Sequence, residues 1–226
     1  MLKQPLNNHA RLQWILAPIV LSVIIFGWKF PLLGLSVPLV MIMGFFGGFI
    51  NGRFVCGNLC PRGGFYDRII APISPKKHVP VFLRGMPFRI IIMILLMGLM
   101  IFQISRNPSD IYHWGRVFWF ICLITTLIGV GLSFIWRARS WCAFCPMGTM
   151  QYALGPGKKI IEVDDSRCIK CLLCEKTCPM ELSIIRRDEK RQMDHRDCLK
   201  CGECIRVCPK QAIHFAKRIK RKRPTT

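Results

Sequence analysis

Eight cysteines near the end of the chain repeat one pattern at a fixed spacing. The first copy reads Cys168-Ile-Lys-Cys171-Leu-Leu-Cys174-Glu-Lys-Thr-Cys178-Pro179, and the second, offset by 30 residues, reads Cys198-Leu-Lys-Cys201-Gly-Glu-Cys204-Ile-Arg-Val-Cys208-Pro209. Three thiolates separated by two residues each can hold three corners of a cubane cluster within one tight loop, while the fourth, which precedes proline, ligates the other cluster. The repeat therefore predicts two [4Fe-4S] clusters.

The exchange of the fourth cysteine gives two ligand sets. One is Cys168, Cys171, Cys174 and Cys208, and the other is Cys198, Cys201, Cys204 and Cys178. Because each half supplies a ligand to its partner's cluster, neither half is expected to fold well without metal. Two structural zinc sites are the alternative, but zinc does not explain two runs of four cysteines with proline after each last one.

The segment from Glu162 to Lys217 resembles the two-cluster bacterial ferredoxins, which are electron carriers. The resemblance implies a small α+β domain. Its strands are expected at Ser183-Ile-Ile and Ala212-Ile-His-Phe, and a short helix is expected between each fourth cysteine's loop and the next motif.

Two further cysteine pairs lie earlier in the chain, and each ends in Cys-Pro. Cys56 and Cys60 belong to one pair, and Cys142 and Cys145 to the other, with Arg53 and Arg139 just upstream. Four thiols on one face would suit a third [4Fe-4S] cluster, and the nearby positive charge would favour thiolates. A thiol/disulfide relay, structural zinc and a copper site are the alternatives.

Apolar runs place these pairs at a membrane edge. Between successive charged residues there are uncharged runs of 17, 23, 16 and 20 residues, beginning after Arg11, Lys29, Arg89 and Arg116. A bilayer is crossed by about 17–25 apolar residues. We therefore expect four transmembrane helices, with one cysteine pair after the second and the other after the fourth, on the same face.

Basic residues orient these helices. The segments on the side of both termini carry 30 of the 33 lysines and arginines, and the two opposite loops carry three. Since basic residues concentrate on the cytoplasmic side, we predict a multi-pass protein of the cytoplasmic (inner) membrane with both termini and the ferredoxin-like domain in the cytoplasm.

The remaining composition narrows the class of function. The formal charge of +21 is explained by topology and by anionic lipid, and no nucleic-acid recognition pattern accompanies it. Thirteen cysteines in a reducing compartment favour metal binding over a disulfide framework. None of the five histidines lies inside a predicted span, so membrane haem is not expected.

The whole layout resembles the NapH/NosR-type membrane iron-sulfur proteins: four spans, a CxxxCP motif after the second, another Cys-Pro motif after the fourth, and a C-terminal double ferredoxin. The resemblance implies electron transfer between a quinone or a cytoplasmic donor and a redox partner. The second motif here is CxxCP, where the nitrate-reduction members have CxxxCP, and no flavin-bearing extracytoplasmic domain is present.

The predicted fold class is an α-helical membrane domain with four transmembrane helices, followed by an α+β ferredoxin-like 2[4Fe-4S] domain. The domains are residues 1–157, residues 158–217 and a basic tail at 218–226. The predicted function is an electron-transfer subunit of an oxidoreductase rather than a stand-alone enzyme, with a cytochrome or flavoprotein subunit and a quinone as partners. The alternative is an assembly factor that reduces or delivers a metal such as copper through the membrane-edge cysteines.

Overall fold

The computed structural model describes residues 4–155, 157–185, 192–193 and 195–217. The predicted basic tail at 218–226 lies outside these residues. The helices are α1 (Gln4–Phe26), α2 (Ser36–Asn51), α3 (Phe54–Asn58), α4 (Pro61–Phe65), α5 (Val81–Arg84), α6 (Met86–Ser105), α7 (Ile111–Ile135), α8 (Pro146–Leu154), α9 (Leu173–Thr177) and α10 (Glu203–Val207). The strands are β1 (Lys159–Val163), β2 (Gln192–Met193) and β3 (Ile213–Lys217).

Three helical segments are long and apolar enough to cross a membrane. They are Pro31–Asn51, which combines a 3₁₀ turn with α2, and the helices α6 and α7. The apolar part of α1 that the structure describes, Arg11–Phe26, is shorter. A membrane protein with at least these three candidate spans is therefore supported, and the fourth span stays a prediction.

Close packing of α2 against α8 brings the two Cys-Pro segments together. A Cβ atom on Gly44 would lie 3.0 Å from the Met147 sulfur, and one on Gly48 would lie 2.8 Å from a Leu154 methyl carbon. The Gln151 side-chain amide donates a 2.7 Å hydrogen bond to the Gly44 carbonyl oxygen. The helix that begins after Cys145 is thereby fixed to the helix that leads towards Cys56.

The C-terminal part contains a three-stranded antiparallel sheet with β1 in the centre. The predicted strand at Ala212–Phe215 corresponds to β3, but the one at Ser183–Ile185 is wrong, because those residues form an irregular turn. The central strand β1 was not predicted. The short helices α9 and α10 each contain the third cysteine of a motif and end just before the fourth. The helix expected between the Cys178 loop and the next motif falls partly outside the described residues, and the residues described there form no helix.

The two halves of this part repeat the same backbone conformation at the 30-residue offset. Lys170 and Lys200 both have φ near 53°, in the left-handed region, and Leu172 and Gly202 follow at 59° and 75°. Left-handed residues let the chain turn tightly enough for thiols two residues apart to point inward. The sequence repeat is therefore also a repeat of loop geometry.

One hydrophobic core joins the two parts of the chain. Trp141 and Phe144, from the second Cys-Pro loop, belong to the same buried cluster as Ile161, Val163 and Ile184. The rings of Trp141 and Phe144 meet edge to face at 5.0 Å. The ferredoxin-like part is therefore packed on the membrane-edge loops and shares their core.

Candidate iron-sulfur centres

The first predicted ligand set lines a single cavity. Cys168, Cys171, Cys174 and Cys208 all face this space, although Cys208 lies 34 residues beyond Cys174. The Cys208 sulfur accepts a hydrogen bond from the Ala212 backbone N–H at 3.4 Å. Burial raises the pKa of the Cys174 thiol to about 11.

The second predicted set is also grouped in space. Cys204 interacts electrostatically with Cys201, Cys198 and Cys178, so the cysteine from the first motif faces the three from the second. The Cys178 sulfur accepts a hydrogen bond from the Leu182 N–H at 3.5 Å, the counterpart of the Cys208 contact. Burial raises the pKa of Cys198 to about 11.

The four membrane-edge cysteines form a third group. The Cys56 thiol interacts electrostatically with Cys60, Cys145 and Cys142, although the two pairs are more than 80 residues apart. Cys56 lies in α3, Cys60 immediately precedes α4, and Cys145 immediately precedes α8. The two Cys-Pro turns therefore face each other across one site.

Arg139 lies against this third group. One of its amino groups is 3.7 Å from the Cys142 sulfur and donates to the Cys56 carbonyl oxygen at 2.9 Å. The other side of the guanidinium forms an ion pair with Asp67 at 2.6 Å. Gln13 donates to the same carboxylate at 2.9 Å. Asp67 thus holds the guanidinium group of Arg139 in place beside the third group.

Burial outweighs the nearby arginines in setting the protonation state of the Cys56 and Cys60 thiols. The pKa of Cys56 and that of Cys60 are both raised, first because the groups are desolvated, although Arg53 and Arg139 respectively act in the opposite direction. Arg53 and Arg139 lower the pKa of these thiols and so favour the thiolate form, as expected, but burial has the larger effect. A bound metal centre would supply the missing positive charge, because coordination deprotonates a thiol outright.

The donor chemistry fits iron-sulfur clusters at these places. Within the described ranges, no three His, Cys, Asp or Glu side chains lie closely enough together to hold a single metal ion. Each of the three groups nevertheless offers four cysteines, and four cysteines are the ligand set of a cubane cluster.

A buried ion-pair network fixes the second cluster loop to the third group. Arg53 is 1% exposed; it donates to the Asp197 carboxylate at 2.5 Å and also to the Cys142 carbonyl oxygen. Arg89, at the start of α6, binds both oxygens of Asp197 at 2.9 Å. Burial alone would raise the pKa of Asp197, but the two arginines hold it below its usual value. Because Asp197 precedes Cys198, this network ties the loop to the start of α3 and to α6.

Backbone contacts complete the same interface. The Asn58 side-chain amide lies 3.4 Å from the Leu199 carbonyl oxygen, to which it donates. The Lys200 ammonium donates to the Asn51 carbonyl oxygen at the end of α2, at 2.6 Å. Gly57 allows this approach, because a Cβ atom there would lie 2.1 Å from the Leu199 oxygen. The second cluster loop therefore rests directly on the helix that carries Cys56.

The contact at Gly57 gives a prediction. We expect Gly57→Ala to displace the second cluster loop, because the added carbon meets rigid backbone and not a movable side chain. Hydrogen-deuterium exchange should become faster across residues 198–205. Gly98→Ala is the matched control, since a carbon added there meets nothing within 4 Å. Unchanged exchange in the Gly57 variant would contradict the direct seating of this loop.

A second set of contacts holds the turn after Cys178. Arg137 donates to the Cys178 carbonyl oxygen at 2.6 Å, and Arg84 donates to the Met180 carbonyl oxygen at 3.2 Å. Both arginines also pair with Glu181, which is in the left-handed region at φ 51°. These contacts hold the turn beside Cys178, the cysteine that is predicted to join the second ligand set.

Sequence reasoning missed much of this support. Arg53 and Arg139 were noticed only as positive charge, while Gln13, Arg89 and Asp197 were not singled out. One signal was available: Gln13 and Arg89 are polar residues within or at the end of apolar runs, where polar side chains are costly and usually have a specific partner.

A large cavity of about 690 Å³ lies among the apolar helices. Its polar and aromatic lining includes Trp28, Gln103, His113, Arg116, Trp119 and Thr125. Arg62, two residues after Cys60, donates to the Thr125 hydroxyl at 3.1 Å and stacks over the Trp141 ring at 5.0 Å. Arg62 also interacts electrostatically with Cys145. Arg62 thus contacts a wall residue of the cavity and interacts electrostatically with the third cysteine group.

Two protein-family models match this chain. The 4Fe-4S dicluster domain matches residues 160–209, which contain the two four-cysteine motifs. The 4Fe-4S binding domain matches twice, over residues 33–80 and 115–163, and these ranges contain the two membrane-edge cysteine pairs. The chain therefore carries 4Fe-4S ferredoxin-type domains. The more specific resemblance to the NapH/NosR type stays a prediction.

Two similar proteins come from Methanocaldococcus jannaschii, and both are described as uncharacterized. One is 24% identical over 145 residues, covering 60% of this chain and 55% of the relative. The other is 25% identical over 160 residues, covering 63% of this chain and 65% of the relative. The chain therefore spans between half and two thirds of the length of these relatives. No solved structure matches it significantly.

Proposed function

We propose that the protein is a membrane-bound iron-sulfur subunit that passes single electrons along three cubane clusters. The seating of the Cys198 loop on the helix that carries Cys56 is the observation that carries this proposal. It supports a continuous series from the first ligand set, through the second, to the four membrane-edge cysteines. When bound, the clusters supply one-electron storage and transfer.

Cross-ligation supports the first step of this series. Cys178 leaves the first loop to join the second set, and Cys208 leaves the second loop to join the first. Two clusters held in this way share one rigid frame of short helices. The second step is supported by Arg53, whose side chain bonds both to Asp197 beside Cys198 and to the carbonyl group of Cys142.

The membrane side of the proposal concerns a quinone. The cavity of about 690 Å³ has mainly apolar walls with a few polar groups, and its size is typical of ligand sites of about 300–1,000 Å³. The His113 ring nitrogen lies 2.9 Å from the Gln103 carbonyl oxygen at this cavity. Arg62 connects the Thr125 wall with the third group. We propose this cavity as the quinone site.

The proposed setting is the cytoplasmic membrane. Both cysteine pairs and the ferredoxin-like part would face the cytoplasm, as the distribution of basic residues predicts. Further redox subunits, such as a cytochrome or a flavoprotein, would complete the oxidoreductase. Lipid surrounds the apolar helices, and no role with nucleic acid is proposed.

Metal analysis under strictly anaerobic conditions tests the proposal. Protein purified without oxygen should contain about twelve irons and a matching amount of labile sulfide per chain, since three cubanes hold four irons each. A quinol analogue added to the protein in lipid nanodiscs should then reduce the clusters and bleach their visible absorbance. About eight irons with no response to quinol would remove the third cluster and the quinone from the account.

Metal delivery is the competing function for the membrane-edge cysteines. All four are partly buried, and the Cys198 loop covers the helix that carries Cys56. Exchange of copper with a partner would require this interface to open. Stoichiometric copper on these four cysteines in protein isolated from cells would favour delivery over electron transfer.

A further inference from the structure

The first cluster loop exposes a surface whose counterpart in the second loop is buried. By the 30-residue repeat, Ile169 corresponds to Leu199; Ile169 is 58% exposed and Leu199 is 2% exposed. Lys170 is exposed, whereas its counterpart Lys200 is 4% exposed. The two loops share their left-handed backbone, so the difference in exposure comes from what covers them and not from how they fold.

The second loop shows how a surface of this kind binds a neighbouring part of a protein. It contacts the helix Phe54–Asn58 through the Leu199 carbonyl oxygen, and its Lys200 ammonium reaches a helix C-terminus at Asn51. A lysine at that position therefore suits a negatively polarised group on a neighbouring protein surface. The same loop geometry at Lys170 has no such neighbour among the residues that the structure describes.

The chemistry of the exposed surface is an apolar centre with a basic rim. Ile169, Leu172 and Leu173 are 58%, 46% and 41% exposed, and Cys171 between them is exposed as well. Lys170, Lys176 and Lys210 surround this centre as exposed cations. In the described part of the chain, these three ammonium groups make no hydrogen bond or ion pair. We call these six residues and Cys171 the first-loop face.

We infer that the first-loop face docks a small, acidic, soluble one-electron carrier protein. This inference rests on the proposed electron-transfer function and names the partner at its cytoplasmic end. The apolar centre suits protein contact, the lysine rim suits a ring of carboxylates, and the exposed Cys171 brings a ligand of the first set to the surface.

The redox step balances as a single electron transfer. One electron would pass from the reduced carrier protein to a cluster held by Cys168, Cys171, Cys174 and Cys208, with no bond made or broken. The nearby acids do not oppose an acidic partner strongly. Glu175 accepts a hydrogen bond from the Ile185 N–H at 2.9 Å, and Asp164 pairs with Arg167 at 3.5 Å.

Binding of an acidic flavodoxin to the anaerobic holoprotein in neutral-lipid nanodiscs tests the inference. The triple variant Lys170→Glu, Lys176→Glu and Lys210→Glu should weaken binding at low salt by tenfold or more, since steering by charge changes association by about 10–10³-fold. The control triple is Lys77→Glu, Lys158→Glu and Lys217→Glu, whose side chains are also exposed. It changes the net charge equally and should bind within about twofold of the native protein.

A second variant tests the apolar centre without straining the backbone. Leu172 has φ 59°, a conformation that favours glycine, and its counterpart in the repeat is Gly202. Leu172→Gly should therefore fold normally and keep its visible cluster absorbance, while flavodoxin binding weakens severalfold. Raising the ionic strength should weaken native binding steeply and should have little effect on the lysine triple.

Three outcomes would overturn the inference. These are equal binding by the two triples, native binding that does not change with salt concentration, and native flavodoxin binding that is lost when the neutral lipid is replaced by anionic lipid. The last result would mean that the face binds lipid headgroups. Photoreduction by a neutral deazaflavin separates this inference from the proposed function. If the deazaflavin reduces the clusters of the lysine triple normally, electron transfer within the protein is intact and only docking of the carrier is affected.

Discussion

Cys145→Ser is expected to remove the third cluster and leave the other two in place. The Cys145 thiol faces Cys56 and Cys60 across the membrane-edge site, while both ferredoxin ligand sets lie in the C-terminal part. A serine hydroxyl is a much poorer ligand for iron than a thiolate. We expect the iron content to fall from about twelve to about eight atoms per chain, since one cubane holds four.

The functional consequence should be larger than the change in iron content. A quinol analogue should no longer reduce the remaining clusters, because the series is broken at the membrane edge, whereas a soluble deazaflavin should still reduce them. Cys122→Ser is the matched control; Cys122 lies in α7, and its sulfur is 4.0 Å from the Thr126 hydroxyl. A Cys145 variant that retained twelve irons, or that still responded to quinol, would refute the assignment.

Asp197→Asn is expected to be the most destabilising single change at the interface between the two parts. Its carboxylate pairs with Arg53 and Arg89, which are 1% and 2% exposed. Removing one partner from a buried ion pair costs about 3–5 kcal/mol, because the remaining charge is left in a poorly solvated site. The denaturant concentration that unfolds the ferredoxin-like part should therefore fall sharply.

A surface carboxylate in the same part of the chain is the control. Glu203 pairs with Arg206 at 2.7 Å, but that arginine side chain is 64% exposed. Exposed pairs of this kind contribute about 0–1 kcal/mol, so Glu203→Gln should have little effect. The triple variant Arg53→Met, Arg89→Met and Asp197→Leu removes all three charges together and should recover most of the lost stability. If the triple is as unstable as Asp197→Asn, shape rather than charge pairing holds this interface.

Local spacing explains why the grouping of the cysteines could be predicted. In each motif, three cysteines within seven residues are brought together by one turn, and that turn is encoded by adjacent residues. The crossing of the fourth cysteine also follows from the pattern. The tertiary structure gathers Cys178 with the second motif, and Cys208 lines the cavity of the first.

Contacts between distant segments explain what could not be predicted. The sequence does not specify that Asp67 pairs with Arg139 and not with its neighbour Arg68, because the choice depends on how α4 and the second Cys-Pro loop pack. Likewise, Leu199 rests on α3 through a hydrogen bond from Asn58, which lies 141 positions earlier in the chain. Such contacts depend on many weak packing choices and not on one local pattern.

By itself, the sequence determined the cysteine groups, the apolar helices and the charge distribution, since each of these is a property of residue types and short spacings. The tertiary structure decided which of two loops with the same cysteine spacing rests on the membrane-edge helix and which one faces outward. Gly57 leaves room for one backbone approach, and the arginines beside it meet the single buried carboxylate of the second loop. The asymmetry of the two halves therefore arises from packing and buried charge pairing, which no repeat in the sequence displays.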